Sequence, residues 1–107
     1  MSMLQINQNN YHELVEQAGQ PVLLEFWAPW CVYCRRIAGV VAKLPEAYAG
    51  RAAVGQINID DDPALAQQFE VDTIPSLILV RDGKPGEKLV APGSKAEIDA
   101  WMQAQSV

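Results

Sequence analysis

Apolar and polar positions along the chain switch repeatedly between two periods. Met3 to Ile6 forms a short apolar run that predicts a strand. Asn10 with Glu13 three residues later has the form of a helix-opening box. Tyr11, Leu14, Val15 and Ala18 follow at helical spacing, and Gly19 closes the segment. VLLEFW, 22–27, is a nearly continuous apolar run, as expected of a strand covered on both faces. Past Pro29 the helical period returns through Cys34, Ile37, Ala38, Val41, Leu44 and Tyr48, and predicts one helix ending near Gly50. AVGQINI, 53–59, predicts a second buried strand. Asp60 to Asp62 before Pro63 predicts a cap and a proline-led first turn, opening a short helix that carries Leu65 and Phe69. SLILV, 76–80, predicts a third buried strand, and Asp82-Gly83 a hairpin turn into KLVA, 88–91. Ser94 with Glu97 caps a last helix whose inner face is Ile98, Trp101 and Met102.

The order β-α-β-α-β-α-β-β-α predicts an α/β fold in a single domain. Its mixed five-stranded sheet has helices on both faces, with parallel pairing across each helical connection and an antiparallel closing hairpin. The 107 residues suffice for a core without staples. A net charge of -5 argues against a nucleic-acid partner, which requires clustered Lys and Arg. No apolar stretch approaches the roughly 20 residues that span a bilayer. The opening MSMLQINQNN has neither the basic nor the apolar region of a secretory leader, so a cytoplasmic protein is expected. Nothing demands more than a monomer.

Both cysteines of the chain fall in WAPWCVYCRR, 27–36, where a strand runs into a helix. Cys31 is thereby placed at a helix N-terminus, whose free N–H groups and dipole favour a thiolate, with Arg35 and Arg36 one turn on. A helix start after Trp-Ala-Pro-Trp should leave Cys31 partly exposed. Cys34 lies on the apolar stripe with Ile37 and Ala38 and should be the deeper sulfur. Cys31 then attacks a disulfide and Cys34 resolves the mixed disulfide. Zinc is the main competitor, but one Cys-x-x-Cys supplies two of four ligands and the lone His12 is on another helix. The Asp60–Asp62 run suggests a cation site, yet it is better explained as a helix cap. Glu25 shares a strand face with Leu23 and Trp27, so it should be buried with its pKa raised, ready to take the Cys34 proton. An edge position or a salt bridge is the structural alternative. Ile74-Pro75 opens a buried strand; a cis bond there would leave the Ile74 backbone free to pair with an extended substrate.

FWAPWC and the second cysteine after an apolar strand, Asn58-Ile59-Asp60 ending the next, Ile74-Pro75 and the Asp82-Gly83 hairpin together closely resemble the thioredoxin family, over about residues 3–104. The resemblance implies the thioredoxin fold with sheet order 1-3-2-4-5, dithiol–disulfide exchange on protein substrates, no resident cofactor or metal, and reduction by a flavoprotein of the thioredoxin reductase type. Carried over by position, Cys31 is the nucleophile, Cys34 the resolving thiol, Pro75 the cis proline facing them and Trp30 the exposed indole beside the nucleophile. Several positions depart from the family pattern. Val32-Tyr33 replaces Gly-Pro between the cysteines, which puts potential and direction in question and sets a bulky ring where substrate approaches. Glu25 replaces the usual Asp. Gly39 replaces the proline that kinks the active-site helix. The glycine bordering the substrate groove becomes Val90 or Ala91, followed by Pro92-Gly93.

The leading expectation is therefore a protein-disulfide reductase. A disulfide oxidant or isomerase of raised potential, and a binding module recognising partners through Trp30, Tyr33 and Ile74 with redox incidental, remain as alternatives.

Overall fold

A computed structural model describes residues 2–107. The strands are β1 (Leu4–Gln5), β2 (Val22–Trp27), β3 (Ala53–Asn58), β4 (Ser76–Arg81) and β5 (Lys84–Val90). The helices are α1 (His12–Glu16), α2 (Val32–Ala42), α3 (Leu44–Ala47), α4 (Pro63–Gln68) and α5 (Lys95–Ala104). The sheet order is β1-β3-β2-β4-β5, as the family resemblance implies.

β2 occupies the centre, and its alternation divides the core in two. Val22, Leu24 and Phe26 join Ile6, Tyr11, Val15, Leu65 and Phe69 beneath α1 and α4. There the Phe69 ring lies 5.3 Å from Phe26 and 5.9 Å from Tyr11. Leu23 faces the other way, toward Ile37, Val41, Leu44, Ile98 and Met102 of α2, α3 and α5 and toward Tyr48, which follows α3. With both faces covered, any polar side chain on β2 must be buried, and Glu25 is the one that is. Just beyond β1, Ile6 closes over Gly55, and a Cβ on Gly55 would stand 2.7 Å from Ile6 Cγ1.

Five expectations change. β1, β3 and β2 run parallel, but β4 pairs with β2 antiparallel, Phe26 opposite Ser76 and Val22 opposite Val80. The six residues of α4 rise only about 9 Å, less than half the length of a six-residue strand. The chain therefore stays at the end of the sheet where β3 finished and re-enters in reverse. The expected single helix over 32–48 is also broken at Lys43. Pro45 has no N–H to offer the Val41 carbonyl, so α2 stops at Ala42 and α3 restarts beyond it. α2 meanwhile passes through Gly39 without interruption.

Two of the three anticipated side-chain caps go elsewhere. Asn10 Oδ1 accepts from Asn7 N at 2.9 Å, and Asn10 Nδ2 donates to Gln5 O, which ties the loop to β1; α1 has no side-chain cap. Asp62 holds the N-cap position of α4, but its Oδ1 accepts from Gln8 N at 3.0 Å. Ser94 does cap α5, accepting from Glu97 N at 3.1 Å. The hairpin turns on Asp82 and Gly83, both at positive φ, the geometry that matches the twist of the flanking strands. Its second strand is longer than expected and begins at Lys84.

Candidate active site

The C-terminal end of β2 delivers the chain into α2, and the two cysteines stand at the join. Cys31 occupies the N-cap of α2 with extended backbone, and its Sγ accepts from Cys34 N at 3.1 Å. One of the unpaired N–H groups of a helix start is thus directed at sulfur, where it stabilises negative charge on that atom. The pair is joined as a disulfide with Cα atoms 5.2 Å apart. The partial exposure expected of Cys31 is not what the structure has. Cys31 is 7 % exposed and Cys34 4 %, so the expected order holds by a small margin. Ala28, Trp27, Tyr33, Ile59 and Ile74 surround both sulfurs.

The rim is built from three other segments. Trp30 is 62 % exposed beside Cys31, and its indole Nε1 donates to Asp60 Oδ1 at 3.0 Å. The Asp60 carboxylate thereby steadies the ring, a contact that sequence reasoning missed because it reads the Asp run only as a cap. Across the mouth the Ile74–Pro75 bond is cis, and Cys31 Sγ lies 3.8 Å from the Ile74 carbonyl oxygen. The Ile74 amide and carbonyl have no main-chain partner among the described residues. Of the two residues between the cysteines, Val32 projects outward at 58 % exposure. Tyr33 is turned inward, its hydroxyl donating to Pro92 O at 3.1 Å. Ala91 takes the left-handed backbone conformation that glycine adopts most readily, and its N–H donates to Pro75 O at 2.9 Å.

Glu25 lies beneath the cysteines, 3 % exposed and, among the described residues, outside any ion pair. Burial pushes its pKa up from 4.5 to about 7, against the smaller opposing effect of a 2.9 Å hydrogen bond from Gln56 Nε2. Glu25 and Cys34 share a cavity of about 180 Å³, lined also by Trp27, Arg35, Ala38 and Gln56. The structure thus brings Cys31, Cys34, Trp30, Ile74 and Pro75 together at one mouth, Tyr33 along its wall and Glu25 below. Among the described residues no cluster of three or more His, Cys, Asp or Glu is placed to hold a metal ion, and no helix is long and apolar enough to cross a membrane.

Comparison with known proteins agrees with this architecture. The family model for thioredoxin matches residues 2–104. The chain is 36 % identical over 93 residues to a thioredoxin of Alicyclobacillus acidocaldarius subsp. acidocaldarius, covering 87 % of this chain and 88 % of that one. It is 33 % identical over 104 residues to a thioredoxin of Acidithiobacillus ferridurans, covering 97 % and 96 %. A chloroplastic M-type thioredoxin of Spinacia oleracea is 32 % identical over 93 residues, and the chain covers 51 % of that longer protein. With the sheet order, the cis proline and the helix-capping cysteine already in place, the matches lead to one conclusion: the chain belongs to the thioredoxin family and is a thiol–disulfide oxidoreductase.

Proposed function

We propose that the chain is a cytoplasmic protein-disulfide reductase, working as a monomer and recharged by a flavoprotein of the thioredoxin reductase type. The observation that carries this reading is the Cys31 sulfur, seated at the head of α2 and accepting the Cys34 N–H. In the reduced protein the Cys31 thiolate attacks one sulfur of a substrate disulfide. The substrate S–S bond breaks, the first substrate sulfur leaves as thiolate and takes a proton, and a mixed disulfide forms. Cys34 then loses its proton and attacks Cys31 Sγ. The Cys31–Cys34 bond forms as the second substrate sulfur departs, so the dithiol gives up two electrons and the substrate gains two.

Glu25 takes the Cys34 proton. A carboxyl brought to about 7 is better matched to a thiol near neutral pH than an ordinary glutamate. The cavity they share has room for bridging water, at roughly 30 Å³ per molecule. The substrate chain lies between Trp30 and Ile74, against the free Ile74 backbone groups and the cis Pro75, with Tyr33 forming part of the wall.

Reduced protein should cleave the interchain disulfides of insulin in a turbidity assay. Cys31→Ser should abolish cleavage, and Cys34→Ser should accumulate mixed disulfides visible by non-reducing electrophoresis. Full activity in Cys31→Ser would remove this reading. A pair that a glutathione buffer of cytosolic poise keeps reduced has a potential above that poise and would favour the oxidant alternative, which Val32-Tyr33 keeps open.

A further inference from the structure

The cavity shared by Glu25 and Cys34 has a polar wall that the chemistry above leaves unused. Gln56 on β3 is the register partner of Glu25 on β2, and on its other side it is the partner of Gln5 on β1. The three side chains form a hydrogen-bonded row across adjacent strands. Gln5 Nε2 donates to Gln56 Oε1 at 3.3 Å, and Gln56 Nε2 donates to Glu25 Oε1 at 2.9 Å. A primary amide has its acceptor on one side and its donors on the other. With the Gln56 oxygen engaged by Gln5, an N–H is what Gln56 turns toward the carboxyl. That donor interacts better with a carboxylate than with a protonated acid, and so favours the ionised form.

Little else near Glu25 can do this. Its neighbour on β4 is the apolar Leu77. From α2 the cavity receives Ala38, the Cys34 sulfur, which titrates only in the reduced protein, and Arg35, whose Nη1 is committed to Pro29 O at 3.1 Å. From β2 itself comes Trp27, which does not titrate and whose buried indole N–H makes no hydrogen bond to Glu25 or to any other described residue. Arg35 is therefore the one charged side chain besides Glu25 at the cavity.

We propose that Gln56, oriented by Gln5 on the sheet edge, is a positioning residue that aims the Glu25 carboxyl and holds it in the form able to accept the Cys34 proton. This rests on the disulfide exchange described above. The test is a carbon-13 NMR titration of Glu25 in the full-length oxidised protein, assigned by its loss in Glu25→Gln. Gln56→Met should raise the Glu25 midpoint by about one pH unit, a tenfold change in proton affinity. Gln5→Ala, on the exposed edge strand, should raise it less. The pH profile for resolution of a Cys31 mixed disulfide should move by the same amounts.

A Glu25 midpoint unmoved in folded Gln56→Met overturns the proposal. Should that variant fail to fold, an unmoved midpoint in Gln5→Ala does so. A midpoint that moves while the pH–rate profile stays fixed overturns the link to Cys34. The exchange chemistry itself would fall only with activity retained in Cys31→Ser, so the two failures are distinguishable.

Discussion

Two carboxyl groups of the molecule receive opposite treatment. Glu25, on the central strand, is enclosed on every side and has a single amide donor, and its proton is held to about 7. Asp99, on α5, is half-buried. Its Oδ2 accepts from Lys95 Nζ at 2.8 Å and its Oδ1 from the Tyr48 hydroxyl at 2.6 Å. Those two donors, Lys95 first, hold its pKa below the usual carboxylate range. The same contact and burial push the Tyr48 hydroxyl up. Tyr48 in turn carries the Arg51 guanidinium 4.6 Å above its ring. The residue types are nearly alike; donor count and access to water decide the sign. Asp99 is a strap between α5 and the segment after α3, whereas the fold tolerates Glu25 at a cost.

That cost gives the largest predicted effect. A carboxyl whose pKa is 4.5 unfolded and about 7 folded binds more protons in the native state between those values. Its contribution is therefore complete below about pH 4.5 and lost as pH rises through about 7, by roughly 3 kcal/mol in total. Glu25→Gln should flatten this slope and leave the protein more stable than the parent at pH 8, as read by denaturant unfolding at pH 5 and pH 8. Identical slopes in the two proteins would break the contrast.

Tyr48→Phe should cost about 1 kcal/mol at pH 7, the value of a hydrogen bond to a charged group discounted for the half-exposed Asp99. Because the Asp99 pKa is lowered, the stability it confers is present at neutral pH and lost as acid protonates it, opposite in direction to Glu25. The Tyr48→Phe penalty should therefore shrink in acid titrations. Lys95→Ala should have the smallest effect, a few tenths of a kcal/mol that fade in high salt, since the pair is an exposed contact at i, i+4 spacing. A penalty indifferent to salt would mean Lys95 acts by packing instead.

What the sequence made legible was local. The apolar runs located β2, β3 and β4, strict alternation on a central strand located a buried Glu25, and Cys-x-x-Cys at a strand–helix join located the bonded cysteine pair. Contacts joining distant positions were not legible. Gln5 and Gln56 are 51 residues apart, Trp30 and Asp60 30, and Tyr33 and Pro92 59. Each depends on strand order and register, which no single segment encodes. The reversal of β4 escaped for a related reason, because a helical period shows that a helix exists but not whether it is long enough to cross the sheet. Asn10 and Asp62 were in cap positions by spacing, yet each found a partner outside its own helix once the N-terminal loop folded against it.

The inward turn of Tyr33 has a mechanical corollary. Its hydroxyl fastens the dithiol loop to Pro92, and the adjacent Ala91 amide fastens the same stretch to Pro75. One jamb of the doorway is thus bolted to both the moving chemistry and the stationary frame. In the proposed reaction an incoming polypeptide must conform to that jamb, and the freedom left to the entrance belongs to Val32, which stands in solvent.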